Sequence, residues 1–229
     1  MNEPMLSRGA LVRTVLVRFG GAFLVLCAMF FLPAGTLAYW EAWAWMAVLF
    51  IPMVGVLAYL VRHDPALLER RMRTREPEKE QSLLIKLSLL WFAITFLLPG
   101  FDRRFGWSHV SLALVIAADV LVFLGYCIFI WVVRENTYAS RVVEVEQGQE
   151  VIASGPYSIV RHPMYVGVLL MYVCTPLALG SFWALIPDLL IIPFIIARIR
   201  NEERVLQRDL AGYSQYMQIT RFRLLPGVW

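Results

Sequence analysis

Arginine, histidine, tyrosine and glutamate supply the groups with which a protein holds an anion, moves a proton or shelters a cation. Two stretches of this chain concentrate them. The first is Gly155-Pro156-Tyr157-Ser158-Ile159-Val160-Arg161-His162-Pro163-Met164-Tyr165-Val166-Gly167. Pro156 and Pro163 each bias the preceding residue away from the α region, so Arg161 and His162 should stand on a bent segment rather than on a helix face. The second is Arg198-Ile199-Arg200-Asn201-Glu202-Glu203. Arg198 and Glu202 are spaced to share one helix face, with Arg200 and Arg204 on a second ridge. Arginine matches a carboxylate or phosphate, glutamate and histidine accept protons or bond a diol, and an aromatic face attracts a cation. Each group also has a plainer reading. A helix-end ion pair contributes only about 0.2–0.5 kcal/mol. His162, Tyr157 and Tyr165 suit a membrane interface, and Gly167 suits close helix packing. What favours a site is that the two clusters stand at the open ends of one expected helical hairpin.

The elements that must position them are membrane helices. The chain has 229 residues, of which 59% are hydrophobic and 17% charged, and its mean hydropathy is +0.64. Soluble domains carry about 25% charged residues. The apolar excess falls in separate runs of roughly 17–23 residues, the length of a membrane-spanning helix. Alternating segments of about 10 residues, the mark of a transmembrane barrel, are absent. The expected class is therefore an all-α integral membrane protein with about six spans. These run near Val15–Ala38, Ala42–Val61, Leu83–Leu98, Ser111–Val133, Met164–Leu179 and Phe182–Ala197. Residues 1–133 form the amino-terminal four and residues 134–229 a second region with two spans and a polar tail. Arg8, Arg13 and Arg18 precede the first run without a compact cleavage site after it, the pattern of a retained signal-anchor.

Lysine and arginine cluster before the first span, in the basic stretch from Arg62 to Ser82, between spans four and five, and after span six. The positive-inside rule then puts both termini and both reactive clusters in the cytoplasm. Only Arg103 and Arg104 lie on the opposite side. The net charge of +4 and pI near 9.1 thus report topology and lipid contact rather than nucleic-acid binding. Cys27, Cys127 and Cys174 fall in different runs and read as small buried hydrophobes. His63, His109 and His162 are too dispersed for a metal site. No Gly-x-Gly-x-x-Gly, P-loop or nucleophile-elbow motif occurs. Asp119 sits inside a span, where an acid is costly; it serves either function or a bond to a neighbouring helix. Asp188 follows Pro187 and is expected to fill the bonding gap that a proline leaves.

Gly155-Pro156-Tyr157, then Arg161-His162-Pro163-Met164-Tyr165-Val166-Gly167, then Glu202-Glu203 beyond a hydrophobic hairpin, resembles the isoprenylcysteine carboxyl methyltransferase family. Related integral-membrane phospholipid methyltransferases share the pattern. The resemblance covers Arg134 to Trp229. It implies S-adenosylmethionine bound without a Rossmann domain, beneath a cytosolic segment. Tyr157, His162, Tyr165, Gly167, Glu202 and Glu203 would then surround the cofactor, while Arg161, Arg198 and Glu202 would orient substrate or act in the reaction. The acceptor would be a lipophilic or lipidated molecule from the bilayer: a prenylated-cysteine carboxylate, or else a phospholipid amine or thiol. No metal is implied, and a bacterial inner membrane suits the compact chain. Sterol reductases carry a similar Arg-His-Pro segment with NADPH, over a much longer chain with more helices. A transporter or scaffold would instead build a mid-bilayer polar site around Asp119 or Asp188 on discontinuous helices.

Overall fold

The computed structural model describes residues 7–72, 79–138, 145 and 148–229, without the side chains of 8, 70–72 and 79–89. The expected basic stretch before the third span and the segment after Arg134 lie partly outside the described residues. Every regular element among those described is helical. Helix α1 (Arg8–Ala34) starts where the Ser7 hydroxyl accepts from the Ala10 amide at 3.3 Å and ends at Gly35 in the left-handed region. Helix α2 (Trp40–His63) follows, and α5 (Leu112–Glu135) is capped by Ser111. Within α1, from Gly9, and across the whole of α2 and α5, length and apolarity suffice to cross a membrane. Large apolar side chains such as Leu16, Leu24, Ile51 and Phe123 remain exposed on them, as a lipid-facing surface requires.

The other three expected spans differ in ways the chain explains. Helix α4 (Lys79–Phe105) continues through Pro99 instead of stopping there. One lost amide bond costs less than the packing of its far end on α1, where Gly100 lies so close that a Cβ would sit 2.6 Å from the Phe30 carbonyl. Helix α6 (Pro163–Ala178) has 16 residues and is apolar but short. The last run divides into α7 (Leu185–Asp188) and α8 (Ile191–Asp209). Leu189 and Leu190 keep right-handed helical dihedrals across that division, so the axis is interrupted without being unwound. The short α3 (Pro65–Met72) falls within the expected basic loop. Its signal was local: Pro65 at the first position and Asp64 Oδ1 accepting from the Leu67 amide at 2.9 Å. Leu67 and Leu68 bury against Leu11, Val15, Leu60 and Val133.

At one end of the bundle, the Tyr39 hydroxyl donates to the Leu179 carbonyl, Arg103 pairs with Glu41 at 3.3 Å, and Asp102 accepts from the hydroxyls of Ser108 and Ser181. This polar clasp gives Arg103 a local partner at the end of the bundle where Arg104 also lies. At the opposite end, the close of α2, α3 and the close of α5 pack together, and the segment after α5 meets the start of α6 and the polar half of α8. Of the cysteines, Cys174 is buried and Cys27 half-buried, but Cys127 is exposed on the apolar surface of α5, contrary to the buried reading.

The hairpin that carries the Arg-His-Pro turn is held to α5 by two glycines. A Cβ on Gly167 would approach the Gly125 carbonyl to 2.7 Å, and one on Gly125 would approach the Gly167 carbonyl to 2.7 Å. Backbone meets backbone there, so neither site tolerates a side chain without helix displacement. We expect Gly167→Val to lower stability by about 1–3 kcal/mol or more, read as a reduced midpoint of thermal unfolding in detergent.

Candidate functional site

Arg161 and His162 are fixed first by backbone. The Arg161 amide donates to the Phe222 carbonyl at 2.9 Å and the His162 amide to the Arg223 carbonyl at 3.0 Å. The carboxy-terminal tail is therefore laid along the bent segment that the two prolines impose. The tail in turn folds on itself: the amides of Arg223 and Leu224 donate to the Trp229 carbonyl, and the Arg223 guanidinium lies 5.1 Å from the Trp229 ring centre. The Arg161 guanidinium also donates to the carbonyls of Thr220 and Arg221.

Glu203 is the buried hub of this arrangement, with 2% of its surface exposed. Its Oε1 accepts from Arg161 Nε at 2.8 Å and lies 3.3 Å from His162 Nε2, while Oε2 accepts from Arg223 Nε at 2.8 Å. Burial alone would raise the Glu203 carboxyl. The hydrogen bonds from His162, Arg161 and Arg223 overcome it and hold the group down to about 2. One carboxylate thus joins α8, the bent segment and the tail.

Its neighbour Glu202 belongs to a second, more accessible chain. Arg198 Nε donates to the Tyr165 hydroxyl at 2.8 Å, and that hydroxyl donates to Glu202 Oε2 at 2.5 Å. His162 Nδ1 is 4.0 Å from Glu202 Oε1, and its ring stands 5.8 Å from that of Tyr165. The i,i+4 spacing does put Arg198 and Glu202 on one face, but a tyrosine from α6 bridges them.

A cleft opens beside this chain. Tyr157, Arg161, His162, Tyr165, Arg198 and Glu202 all line it. Tyr157 is oriented by Asn136 Nδ2, which donates to its hydroxyl at 2.9 Å, and by Tyr216, whose hydroxyl donates to the Tyr157 carbonyl at 2.7 Å. The remaining wall includes Gln149, Glu150, Val151, Ile152, Leu206, Leu210, Tyr213 and Tyr216, with Val151 packed on the last three. The helix α9 (Tyr213–Ile219) supplies the last two. Burial pushes the Tyr216 phenol up to about 12 and the Tyr213 phenol higher still, so both are neutral donors at neutral pH. The cleft therefore combines two guanidinium groups, two carboxylates, an imidazole and several aromatic faces beside apolar Leu206 and Leu210.

Two residues expected here stand elsewhere. Gly167 is at the α5–α6 contact, so its helix-packing role is the one the geometry displays. Glu203 lies behind the cleft wall, bonded to three basic side chains. Contributors that were not anticipated include Asn136, Tyr213, Tyr216 and Arg223. The Tyr213–Tyr216 spacing of one helical turn was a legible signal, whereas Asn136 and Arg223 carry none without knowing which segments meet. Asp119 is half-buried on α5, with one carboxylate oxygen lacking a hydrogen bond, and it does not line the cleft. Asp188 is fully buried with both oxygens unpartnered, so it does not close the proline gap; the Trp183 carbonyl, which Pro187 has no N–H to meet, accepts from the Ile186 amide at 3.3 Å.

Comparison with known proteins adds two findings. The family model described as phospholipid methyltransferase matches residues 113–211. That range holds the cleft from Asn136 to Leu210 but excludes Tyr213, Tyr216 and Arg223. A Delta(14)-sterol reductase of Mus musculus is 23% identical over 162 residues, which cover 64% of this chain and 38% of that protein. The chain thus matches well under half the length of this curated relative.

Proposed function

We propose that this chain is an integral-membrane methyltransferase that uses S-adenosylmethionine and acts on a lipophilic acceptor. The observation that carries the reading is convergence. The bent Arg161-His162 segment and the Arg198-to-Glu203 segment, far apart in sequence, border one cleft within the stretch similar to phospholipid methyltransferases. The donor set fits the cofactor. A guanidinium suits its carboxylate, Glu202 or His162 its ribose diol, and an aromatic and apolar wall its adenine. Tyr157, Tyr165 or Tyr213 offers an aromatic face to a sulfonium. When bound, the cofactor supplies an activated methyl group, and the protein's part is alignment of donor and acceptor at about 3–3.5 Å. Arg161, tied to Glu203 and two carbonyls, positions the segment, while Arg198 and Glu202 orient what enters. For a neutral amine or thiol acceptor, Glu202 or His162 would take the proton.

The finer reading keeps six membrane passages, α6 and α7–α8 forming the carboxy-terminal pair, with residues 134–229 as the catalytic region. Both termini would face the cytoplasm, in a bacterial inner membrane. Among acceptors, a prenylated-cysteine carboxylate follows from the motif resemblance, and a phospholipid amine from the matched family model. The sterol reductase similarity favours one competing reading, a reductase that binds NADPH in the same cleft. Calorimetric titration in detergent separates them. We expect S-adenosylhomocysteine to bind, with loss of binding in His162→Ala, and NADPH to give no heat. The opposite pattern would replace methyl transfer with hydride transfer.

A further inference from the structure

Two cavities outside the cofactor cleft lie between α2 and α5 at the same end of the bundle. One, of about 260 Å³, is walled by Phe19 of α1, Leu57 of α2, Leu68 of α3, Phe129 of α5 and Met171 of α6. The other, of about 730 Å³, has an apolar floor and a polar mouth made by His63, Asp64, Arg134 and Thr137. Val56, Leu60 and Val133 line both, so the two adjoin. Together they have the size of a small-molecule site and the polarity gradient of one lipid, head at the rim and chain inward.

Two observations specify the occupant. Arg134 is exposed at the mouth and makes no ion pair among the described residues. Asp64 is engaged by the Leu67 amide, and the His63 ring stacks on Tyr59, 4.4 Å between centres. Among the described residues, Arg134 is therefore the rim cation without an ion pair, beside the helix-capping carboxylate of Asp64, and it is the group that can take an anionic head. Secondly, the mouth adjoins the cofactor cleft through the chain itself: Arg134 and Thr137 face the cavity, whereas Asn136 and Tyr138 line the cleft. A head held at Arg134 is within one helical turn of Asn136 in the wall of the cofactor cleft.

We infer that the α2–α5 groove is the acceptor site, holding the hydrocarbon chain of an amphipathic lipid whose anionic head, a phosphate or a carboxylate, sits at Arg134. The inference rests on the methyltransferase reading and adds the place and chemistry of its acceptor. Gly55 gives a clean probe, because it lines the groove and a Cβ there meets nothing within 4 Å. Gly55→Phe should fill the space without disturbing the bundle.

The experiment uses the full chain in nanodiscs with two photoactivatable probes, a diazirine-tailed phosphatidylethanolamine and a diazirine-tailed S-prenylcysteine. Saturable labelling of residues 52–67 and 126–137 by either probe, abolished in Gly55→Phe, is the expected result. Arg134→Gln should raise the half-saturating concentration about tenfold, the loss of one charge-assisted hydrogen bond. The probe that saturates at the lower concentration identifies the head as phosphate or carboxylate. Labelling spread over the exposed faces around Leu16, Leu24 and Phe123, or unchanged by Gly55→Phe, would show ordinary bilayer lipid and overturn the site. S-adenosylhomocysteine titration of the same samples keeps the two ideas apart. Absent nucleotide binding sinks the methyltransferase reading, whereas absent saturable labelling with intact nucleotide binding sinks the groove alone.

Discussion

Glu203→Ala should destabilise the carboxy-terminal half by about 3–5 kcal/mol, the usual cost of removing one partner from a buried ion pair. The size follows from what is left behind. Arg161 would remain buried with its charge uncompensated, and Arg223 and His162 would lose the oxygen that fixes them. Against a total stability of roughly 5–15 kcal/mol, such a loss is a large share. The tail would also be released, because Arg161 and His162 hold residues 220–223 through four hydrogen bonds to backbone carbonyls. Thermal unfolding in detergent should show a strongly lowered midpoint, and limited proteolysis should cut first near Thr220. A midpoint within a degree of the unsubstituted protein would mean that the tail is held by something other than this carboxylate.

The same group sets an acid limit. Its ordinary value is 4.5, and in the folded protein it is held at about 2. Between those values the folded state binds fewer protons than the unfolded one, so its contribution is complete above about pH 4.5 and disappears as pH falls toward 2. Glu203→Gln should therefore flatten the acid limb of the stability profile while lowering stability at neutral pH. An unchanged acid limb would assign the acid sensitivity to other carboxylates.

How much of this could be read from sequence depended on whether the signal was local. The two proline-bent residues and the i,i+4 face of α8 are local, and both stood where the chain placed them. Apolar runs identified α2 and α5 to within two residues, and α1 with a start seven residues late, because a membrane helix must satisfy its own backbone and needs no partner to declare itself. Helix limits set by tertiary contact were not legible. Pro99 reads as a terminator, yet packing of Gly100 on α1 carries α4 through to Phe105. Pro187 and Pro193 mark the interruption of the last run only in hindsight, since proline is common in membrane helices. The role of Glu203 was hidden for the same reason. Adjacent glutamates look equivalent, and only the approach of residues 220–223 from the far end of the chain makes one a buried hub and the other a cleft-facing group.

That difference between neighbours leads to the opposite expectation for Glu202 and its bridge. Tyr165→Phe removes one hydroxyl that both accepts from Arg198 and donates to Glu202. On the proposed reading these groups meet the cofactor, so the variant should fold with a midpoint close to the parent's and bind S-adenosylhomocysteine about 10- to 100-fold more weakly. That range corresponds to losing a hydrogen bond to a charged group, about 1.5–3 kcal/mol. Glu202→Gln should fall in the same range. The double variant should be little worse than either, because both changes break one chain of contacts and coupled residues are not additive. Methyl transfer, if the residues only place the nucleotide, should show the loss mainly in KM for the cofactor; a matching loss in kcat would give Glu202 a part in the chemical step. Additive effects of the two substitutions would mean that Tyr165 and Glu202 act separately, and that the Arg198–Tyr165–Glu202 chain is structural rather than a cofactor clasp.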